Sequence, residues 1–338
     1  MHVFSQMQKR KRLALLSDLE VFVTDRGCKK RSNTIKYGCM KCNSPFCMQL
    51  SPSKILIPEI EEFSYDKNIN VCPVNAISWN YCDEIPNIAA NTCVHCGLCC
   101  LSCPLYAINF SSGKIRTNLH HDQRLVDYTK SNMIIQNSQL SYLKKVNENS
   151  ALCESDTLLD IAQKSIERVG EQYRNLLVRN ILIGLGMNAM TSRIGDASNR
   201  IDVIFADKGK FGVTEVEFGS DTLSAARGVL EDIAVMFYKY KIPKSMIGAW
   251  VVLLNLPNKR QDYWNVIKDI RNVLGIKVNT ITIGALLILL WNRCVLDPLD
   301  NSFYIDYDNV SIRKAVEQKL QRKLYLKDEH LGIFEPLK

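Results

Sequence analysis

Four cysteines in one short run constrain the fold of this chain more than any other feature. Cys93, Cys96, Cys99 and Cys103 follow the spacing C-x2-C-x2-C-x3-C, and Pro104 comes directly behind them. The spacing is typical of cubane iron–sulfur ligands, because three thiolates two residues apart can each bind one corner of a cluster. A fourth cysteine that is followed by proline usually binds a second cluster. The run therefore predicts an iron–sulfur module.

An upstream segment repeats the end of this run. Residues 72–77 (CPVNAI) echo residues 103–108 (CPLYAI), so a C-P-x-x-A-I unit occurs twice, as expected of an internal duplication. A zinc knuckle or a set of disulfides is the alternative interpretation. Cys96, Cys100 and Cys103 also have the spacing of a radical-SAM cluster, but that assignment leaves the proline and the repeat unexplained.

On these motifs, residues 35–115 resemble the two-cluster ferredoxin domain. The resemblance implies that the three closely spaced thiols bind one 4Fe–4S cluster and that Cys72 is its remote fourth ligand. It also implies that Cys103 binds a second cluster, whose other ligands are Cys39, Cys42 and Cys47. The first half departs from the family pattern, because four residues separate Cys42 from Cys47 and 24 separate Cys47 from Cys72. We therefore expect one cluster and leave a second open.

Composition limits the cellular setting. The chain has 338 residues, enough for two domains, and eleven of its 13 cysteines precede residue 104. No apolar segment follows Met1 as it does in a signal peptide. The longest apolar run, residues 281–291, is about half a bilayer span, and we predict a buried strand there. Thiols, the missing export signal and an oxygen-sensitive cofactor favour the cytoplasm and no membrane partner.

Charge favours a polyanionic partner. The formal net charge is +8, and early basic clusters occupy residues 9–12 and 29–31. Such a balance attracts nucleic acid, and the partner that we expect is duplex DNA, with a homodimer also compatible. A basic surface that is simply solvated is the alternative.

Four segments follow from the sequence: a basic N-terminal segment (1–34), the cysteine module (35–115), a polar linker (116–150) and a C-terminal domain (151–338). In the last, apolar residues at a helical period predict one long helix capped by Ser155. Strands follow near 187–194, 201–206 and 211–218, then a helix capped by Ser220 or Asp221, and a strand at 246–254. A strand at 278–291 and a helix at 311–324 come later. The predicted core has the order αβββαβ.

Three acids fall in the hairpin of this core. If Ala206 and Phe211 flank a four-residue loop as a pair, the register places Asp202 opposite Glu215, and Glu217 shares their face. The neighbouring residues are apolar on both faces, so the sheet is buried. Like charges facing each other in a buried pair are destabilising, and a divalent cation with oxygen ligands would neutralise them.

At these residues the chain resembles the PD-(D/E)xK nuclease superfamily, over roughly residues 155–255. Arg200-Ile201-Asp202 and Glu215-Val216-Glu217 stand where that superfamily has its acid and its D/E-x-K motif. The chain departs from the pattern twice, with Ile201 in place of proline and Glu217 in place of lysine. The resemblance implies that Asp202 and Glu215 bind Mg²⁺ and that Glu217 assists the attacking water. Glu171 on the preceding helix is a further acid of the kind that some members carry.

The sequence therefore predicts an α+β or α/β protein in which a ferredoxin-like module precedes a restriction-endonuclease-like core. The expected function is Mg²⁺-dependent DNA cleavage of the restriction or defence type, with Asp202, Glu215 and Glu217 as catalytic residues. Two alternatives stay open. One is an electron-transfer protein whose C-terminal domain docks a partner or ligand. The other is a DNA-binding protein without catalysis. For the acidic hairpin itself, the alternative is an unrelated α/β domain in which Arg193 and Arg200 pair with the acids.

Overall fold

The structure, a computed structural model, describes residues 47–80, 85–103, 108–111, 114–117, 156–193, 195, 200–305 and 311–333. The N-terminal segment 1–34, the predicted ligands Cys39 and Cys42, and most of the predicted linker lie outside these residues. The chain forms two compact units, and the division does not follow sequence order. Unit 1 comprises residues 1–50 and 70–153, and unit 2 comprises residues 51–69 and 154–338. Residues 51–69, which we had assigned to the cysteine module, therefore belong to the C-terminal unit.

Unit 1 contains two antiparallel hairpins and a short helix. Strands β1 (Ile77–Asn80) and β2 (Ile85–Ile88) form one hairpin, and β3 (Ile108–Ser111) and β4 (Lys114–Thr117) form the other. Helix α1 (Leu98–Ser102) lies between them in the sequence. Each hairpin begins at the isoleucine that ends a C-P-x-x-A-I unit, so the duplicated sequence also precedes duplicated structure.

Unit 2 is built on a five-stranded mixed sheet with the order β5-β6-β7-β8-β9. The first three strands are antiparallel and the last two run parallel to β7. The strands are β5 (Asn188–Thr191), β6 (Val203–Asp207), β7 (Lys210–Glu217), β8 (Ile247–Leu253) and β9 (Val278–Thr282). The helices are α2 (Asp156–Glu167), α3 (Glu171–Gly184), α4 (Thr222–Tyr238), α5 (Asp262–Leu274), α6 (Ile283–Trp291) and α7 (Ile312–Leu320). The molecule is thus mixed α and β.

The hydrophobic core of unit 2 lies on both faces of this sheet. Helices α4 and α5 cover one face, where Val229, Ile233 and Ile267 pack with Val213 and Val251. Such helices are expected there, because they are the crossovers between the parallel strands. On the other face, Leu182 of α3 and Leu286 of α6 lie near Thr214, Trp250 and Val252. Among the described residues, no helix is both long and apolar enough to cross a bilayer.

Residues 51–69 are part of that core although they precede the cysteine run. Ile57, Ile60 and Phe63 are at most 2% exposed and pack with the sheet of unit 2. Buried Arg179 of α3 fixes the end of the segment by donating to the carbonyl oxygens of Asp66 (3.3 Å) and Asn68 (2.6 Å). We call residues 51–69 the excursion, because the chain leaves unit 1 before this segment and returns to unit 1 after it. The two ends of the excursion are joined within unit 1 by the bridge between Gln49 and Asn70 and by Val71 N–H, which donates to the carbonyl of Met48 (2.8 Å).

Three predictions about these elements need correction. The single long helix is two helices, because extended backbone at Gly170 (ψ 148°) ends the turn between α2 and α3. The predicted strand 278–291 is β9 followed by α6, since the side chain of Thr282 accepts from Ala285 N–H (3.3 Å) and caps a helix. The four-residue loop is a two-residue turn, with Lys208 (φ 51°) and Gly209 (φ 75°) in the left-handed region.

Candidate functional site

Asp202 and Glu215 lie at the end of unit 2 where β6 begins and β7 ends. The predicted pair Ala206 and Phe211 is confirmed, and the ladder continues to Val203 opposite Thr214. Asp202 and Glu215 are the next residues in this register, and their carboxyl groups hydrogen-bond each other. Counting from the turn therefore found two acids that do come together.

The carboxylate of Asp202 is held by two further donors. Asn175 Nδ2 of α3 donates to Oδ1 (2.8 Å) and Val216 N–H donates to Oδ2 (2.9 Å). The hydroxyl of Thr191 donates to the backbone carbonyl of Asp202 (2.7 Å), which ties β5 to the same point. Burial raises the pKa of Asp202, the hydrogen bonds with Val216 N–H, Asn175 and Glu215 lower it, and the charge of Glu217 raises it again. The side chain is thus oriented by α3 and by β7.

A third carboxyl group, which the sequence argument missed, joins this pair from α4. Asp232 is 1% exposed, and its side chain hydrogen-bonds Glu215. The signal was present in the sequence, because Asp232 falls on the apolar stripe of α4 together with Ala225, Val229 and Met236. An acid on the buried face of an amphipathic helix needs a partner. We call Asp202, Glu215 and Asp232 the acid cluster.

Burial shifts the proton equilibria of the cluster. Burial, and then the charges of Asp232 and Asp202, raise the pKa of Glu215 to about 9. Burial is also the largest cause of the pKa of about 7 at Asp232. Without a cation, Glu215 and Asp232 therefore keep their protons at pH values where exposed carboxyl groups are ionised.

The remaining predicted residues lie around the cluster. Glu217 is half-buried, and its Oε1 accepts from Gly219 N–H. Arg200 is exposed and pairs with Glu231 (3.1 Å), while Arg193 is exposed. Neither arginine forms an ion pair with the acid cluster in the described part of the chain, so they do not neutralise it.

A cavity of about 280 Å³ is lined in part by Asn175, the residue that also donates to Asp202 of the acid cluster. It is bounded by the excursion, the first turns of α3 and the end of β5, with the lining residues Asp66, Glu171, Gln172, Asn175, Leu176, Thr191, Ser192, Arg193 and Gly195. Glu171 thus faces this cavity, and its Oε1 is 3.9 Å from Arg174 Nη1.

The donor set of the acid cluster fits a hard divalent cation. All three groups supply carboxylate oxygens, the ligands that Mg²⁺ prefers, and Oδ2 of Asp232 is buried without a hydrogen-bond partner. A Cβ at Gly228 would lie 3.0 Å from Glu215 Oε1, so the glycine leaves room for that carboxylate. As the side chains stand, no three His, Cys, Asp or Glu groups among the described residues are arranged to hold a metal ion. The carboxyl groups hydrogen-bond one another instead, as protonated groups can.

The second constellation is the set of thiols in unit 1. Cys72 lies close enough to Cys93, Cys96 and Cys99 for its charge to raise the pKa of each. Burial is the largest cause of the shift at Cys93, to about 11, and also at Cys96. At Cys99 the largest cause is a hydrogen bond with the side chain of Cys100. Cys72 is thus within electrostatic range of the three closely spaced thiols, although no three cysteines among the described residues are arranged to hold a metal ion.

Each of these four sulfur atoms accepts a backbone N–H. Ala76 N–H lies 3.1 Å from Cys72 Sγ, and the other donors are the N–H groups of His95, Leu98 and Cys100. The backbone is left-handed at His95 (φ 57°) and Gly97 (φ 78°), within the run that carries three of these donors. Successive N–H groups in such conformations form anion-binding nests, which also hold iron–sulfur clusters. Soft thiolates in such a nest fit iron–sulfur or zinc.

The predicted ligands of a second cluster are not assembled in the described residues. Cys103 is buried at the end of α1, where its N–H donates to the carbonyl of Cys99 (3.1 Å). Cys47 is also buried, whereas Cys39 and Cys42 lie outside the described residues. The second cluster therefore stays a prediction.

No family model, curated protein or solved structure matches the chain. What the protein does must be inferred from the acid cluster and the thiols.

Proposed function

We propose that the chain is a Mg²⁺-dependent endodeoxyribonuclease that carries an iron–sulfur module. The observation that supports the proposal is the meeting of Asp202, Glu215 and Asp232 at one end of the sheet. Three carboxyl groups in a largely dry space destabilise a fold unless a cation or protons neutralise them. A role in binding a catalytic metal ion would explain why the fold keeps three carboxyl groups that destabilise it.

The chain's own residues would orient and activate the reactants. Asn175 and the N–H of Val216 hold Asp202 in one orientation, and Glu215 and Asp232 supply the other oxygen ligands. Mg²⁺ bound there would polarise a phosphodiester oxygen and lower the pKa of a water molecule.

Glu217 is the residue best placed to receive the proton of that water. Glu217 lies close enough to Asp202 for its charge to raise the pKa of Asp202. It is not one of the three groups that hydrogen-bond one another. The N–H of Gly219 restrains its carboxylate. A glutamate here would act as general base where the superfamily that the chain resembles has lysine.

Mg²⁺-dependent cleavage of supercoiled plasmid by anaerobically purified protein tests this function. Asp202→Asn and Asp232→Asn should each reduce the cleavage rate more than about 100-fold, because even partners outside the ligand set cost about 10–100-fold. Glu231→Gln is the matched control, since Glu231 neighbours Asp232 but is exposed. Equal activity of Asp232→Asn and the control would exclude the acid cluster as the catalytic centre.

A second candidate function, electron transfer, is favoured by the thiols of unit 1 independently of the acid cluster. The proposed cluster predicts about four irons per chain for one cubane and a brown colour. Cys93→Ser should lose both, whereas Cys294→Ser, outside the thiol set, should retain them. Iron-bearing protein that cleaves no DNA with Mg²⁺ would favour electron transfer, and a colourless zinc protein would exclude it.

A further inference from the structure

A second surface of unit 2 exposes aromatic rings among lysines. Phe237 (46% exposed) and Tyr238 (78% exposed) end α4, and Lys239, Lys241 and Lys244 follow them. We call these five residues the aromatic–basic surface. Single exposed apolar residues are ordinary at a protein surface, but two neighbouring exposed rings form a patch of the kind that marks an interaction site.

The lysines of this surface lie over the rings. Lys241 Nζ is 4.8 Å from the centroid of Tyr238, and Lys244 Nζ is 5.1 Å from that of Phe237. Each pair therefore presents a ring with an ammonium over one of its faces. At 78% exposure, Tyr238 keeps most of its surface open to a further partner.

Backbone hydrogen bonds fix the turn that carries these side chains. Ile242 N–H donates to the carbonyl of Met236 (3.2 Å), and Met246 N–H donates to that of Pro243 (2.8 Å). Lys241 adopts the left-handed conformation (φ 60°) that this turn requires. The rings and ammonium groups are thus displayed by a turn that is already ordered, which lowers the entropy lost on binding.

Charge indicates the kind of partner. Residues 233–246 contain three lysines and no acid. Lysine is depleted from protein–protein interfaces, so a second protein fits this surface poorly. A polyanion with flat apolar groups fits it well, because ammonium groups neutralise phosphates while rings stack on bases.

We infer that the aromatic–basic surface binds single-stranded nucleic acid. Bases in a duplex are already stacked on their neighbours, so open ring faces suit unpaired bases. The inference does not rest on the proposed nuclease function. The surface is separate from the acid cluster, because Tyr238 lies six residues beyond Asp232 on α4, about 9 Å along the helix axis, and is exposed whereas Asp232 is buried.

Fluorescence anisotropy tests the inference by measuring how a fluorescein-labelled dT15 oligonucleotide binds the 338-residue chain without added divalent metal. Tyr238→Ala should weaken binding about tenfold through loss of one stacking platform, and Tyr238→Phe should restore it. Tyr325→Ala is the matched control, because Tyr325 is 91% exposed, also lies between lysines, and is outside the surface.

The salt dependence separates stacking from charge. Lys241→Ala should reduce the slope of log K against log salt by about 0.7, the value for one phosphate of a single strand, whereas Tyr238→Ala should leave the slope unchanged. Wild-type affinity of Tyr238→Ala, or an equal loss in Tyr325→Ala, would overturn the inference. So would preference for a duplex of the same length, or binding to anionic phospholipid vesicles without binding to the oligonucleotide. Plasmid cleavage plays no part in these readouts, so failure of the nuclease proposal would leave the result interpretable.

Discussion

Asp202, Glu215 and Asp232 hold their carboxyl groups together where water has little access. Each group that ionises there makes ionisation of the next one harder, so the cluster titrates as a unit. A cation that enters must displace the protons that neutralise the cluster. Metal binding and proton release are therefore coupled at this site.

The raised pKa of Glu215 predicts how the stability of the metal-free protein depends on pH. The pKa of Glu215 is about 9 when folded against an ordinary 4.5, so between these values the folded chain holds a proton that the unfolded chain has lost. The stabilising contribution of this carboxyl should then be fully present below about 4.5 and be lost as the pH rises from there to about 9. Urea unfolding in EDTA from about pH 5 to 9 measures this loss, and Glu215→Gln should reduce it.

Glu167→Gln provides the comparison, because it changes the same charge at an exposed position, at the end of α2. It should keep the pH dependence of the wild type. A Glu215→Gln protein with the wild-type pH dependence would contradict the assignment of a raised pKa to this carboxyl.

How far the sequence predicts this site depends on the kind of element that carries each residue. Asp202 and Glu215 are joined by one tight turn, and strand pairing extends a known turn without ambiguity. Asp232 lies on helix α4, and the local sequence does not determine how that helix packs on the sheet. Its contact with Glu215 could therefore not be predicted. The thiols Cys93, Cys96 and Cys99 are local, whereas the proximity of Cys72 was inferred from resemblance alone.

At the scale of elements, the hardest to predict was a helix whose residues are all apolar, because its sequence has no alternation of polar and apolar positions. α6 is apolar at every position, so no periodicity distinguishes it from a buried strand. The decisive signal was Thr282, a helix cap within an apolar run. Strands β6 and β7 were predicted well, because Lys208 and Gly209 interrupt them with turn residues.

Segment 51–69 depends on Arg179, and this dependence can be tested. The buried guanidinium donates to Asp66, Asn68 and Asn180, and burial lowers its pKa to about 10. Arg179→Ala removes these donors and leaves a cavity, so the free energy of unfolding should fall by about 2–5 kcal/mol.

Arg168→Ala is the control for this change, because Arg168 is exposed at the end of α2. Its effect should stay within about 0.5 kcal/mol. Denaturant unfolding of the two variants measures the difference, and equal stability would mean that the excursion is not held by Arg179.

At the scale of the whole molecule, the chain enters unit 2 twice. Residues 51–69 pack in its core, and the chain returns to it only at residue 154. We expect that a protease site introduced at residues 147–150 will yield two pieces that stay associated, since the N-terminal piece contributes Ile57, Ile60 and Phe63 to the core of the other. Size-exclusion chromatography of the cut protein should show one species, which separates in denaturant.

Phe63→Ala in the cut protein should weaken this association, because it removes a buried ring from the shared core. Pieces that separate without denaturant would show that the excursion does not hold them together.

The excursion also limits how a gene for such a protein can arise. A recombination event at one junction can append or delete a domain only if each product keeps all of its own core. Here a crossover anywhere between residues 70 and 153 would give a product that keeps the sheet of unit 2 but lacks residues 51–69. In that product, Arg179 would lose the carbonyl groups of Asp66 and Asn68 that accept its hydrogen bonds. A single crossover therefore cannot exchange the cysteine module and leave unit 2 whole, and we expect the two units to have been inherited together.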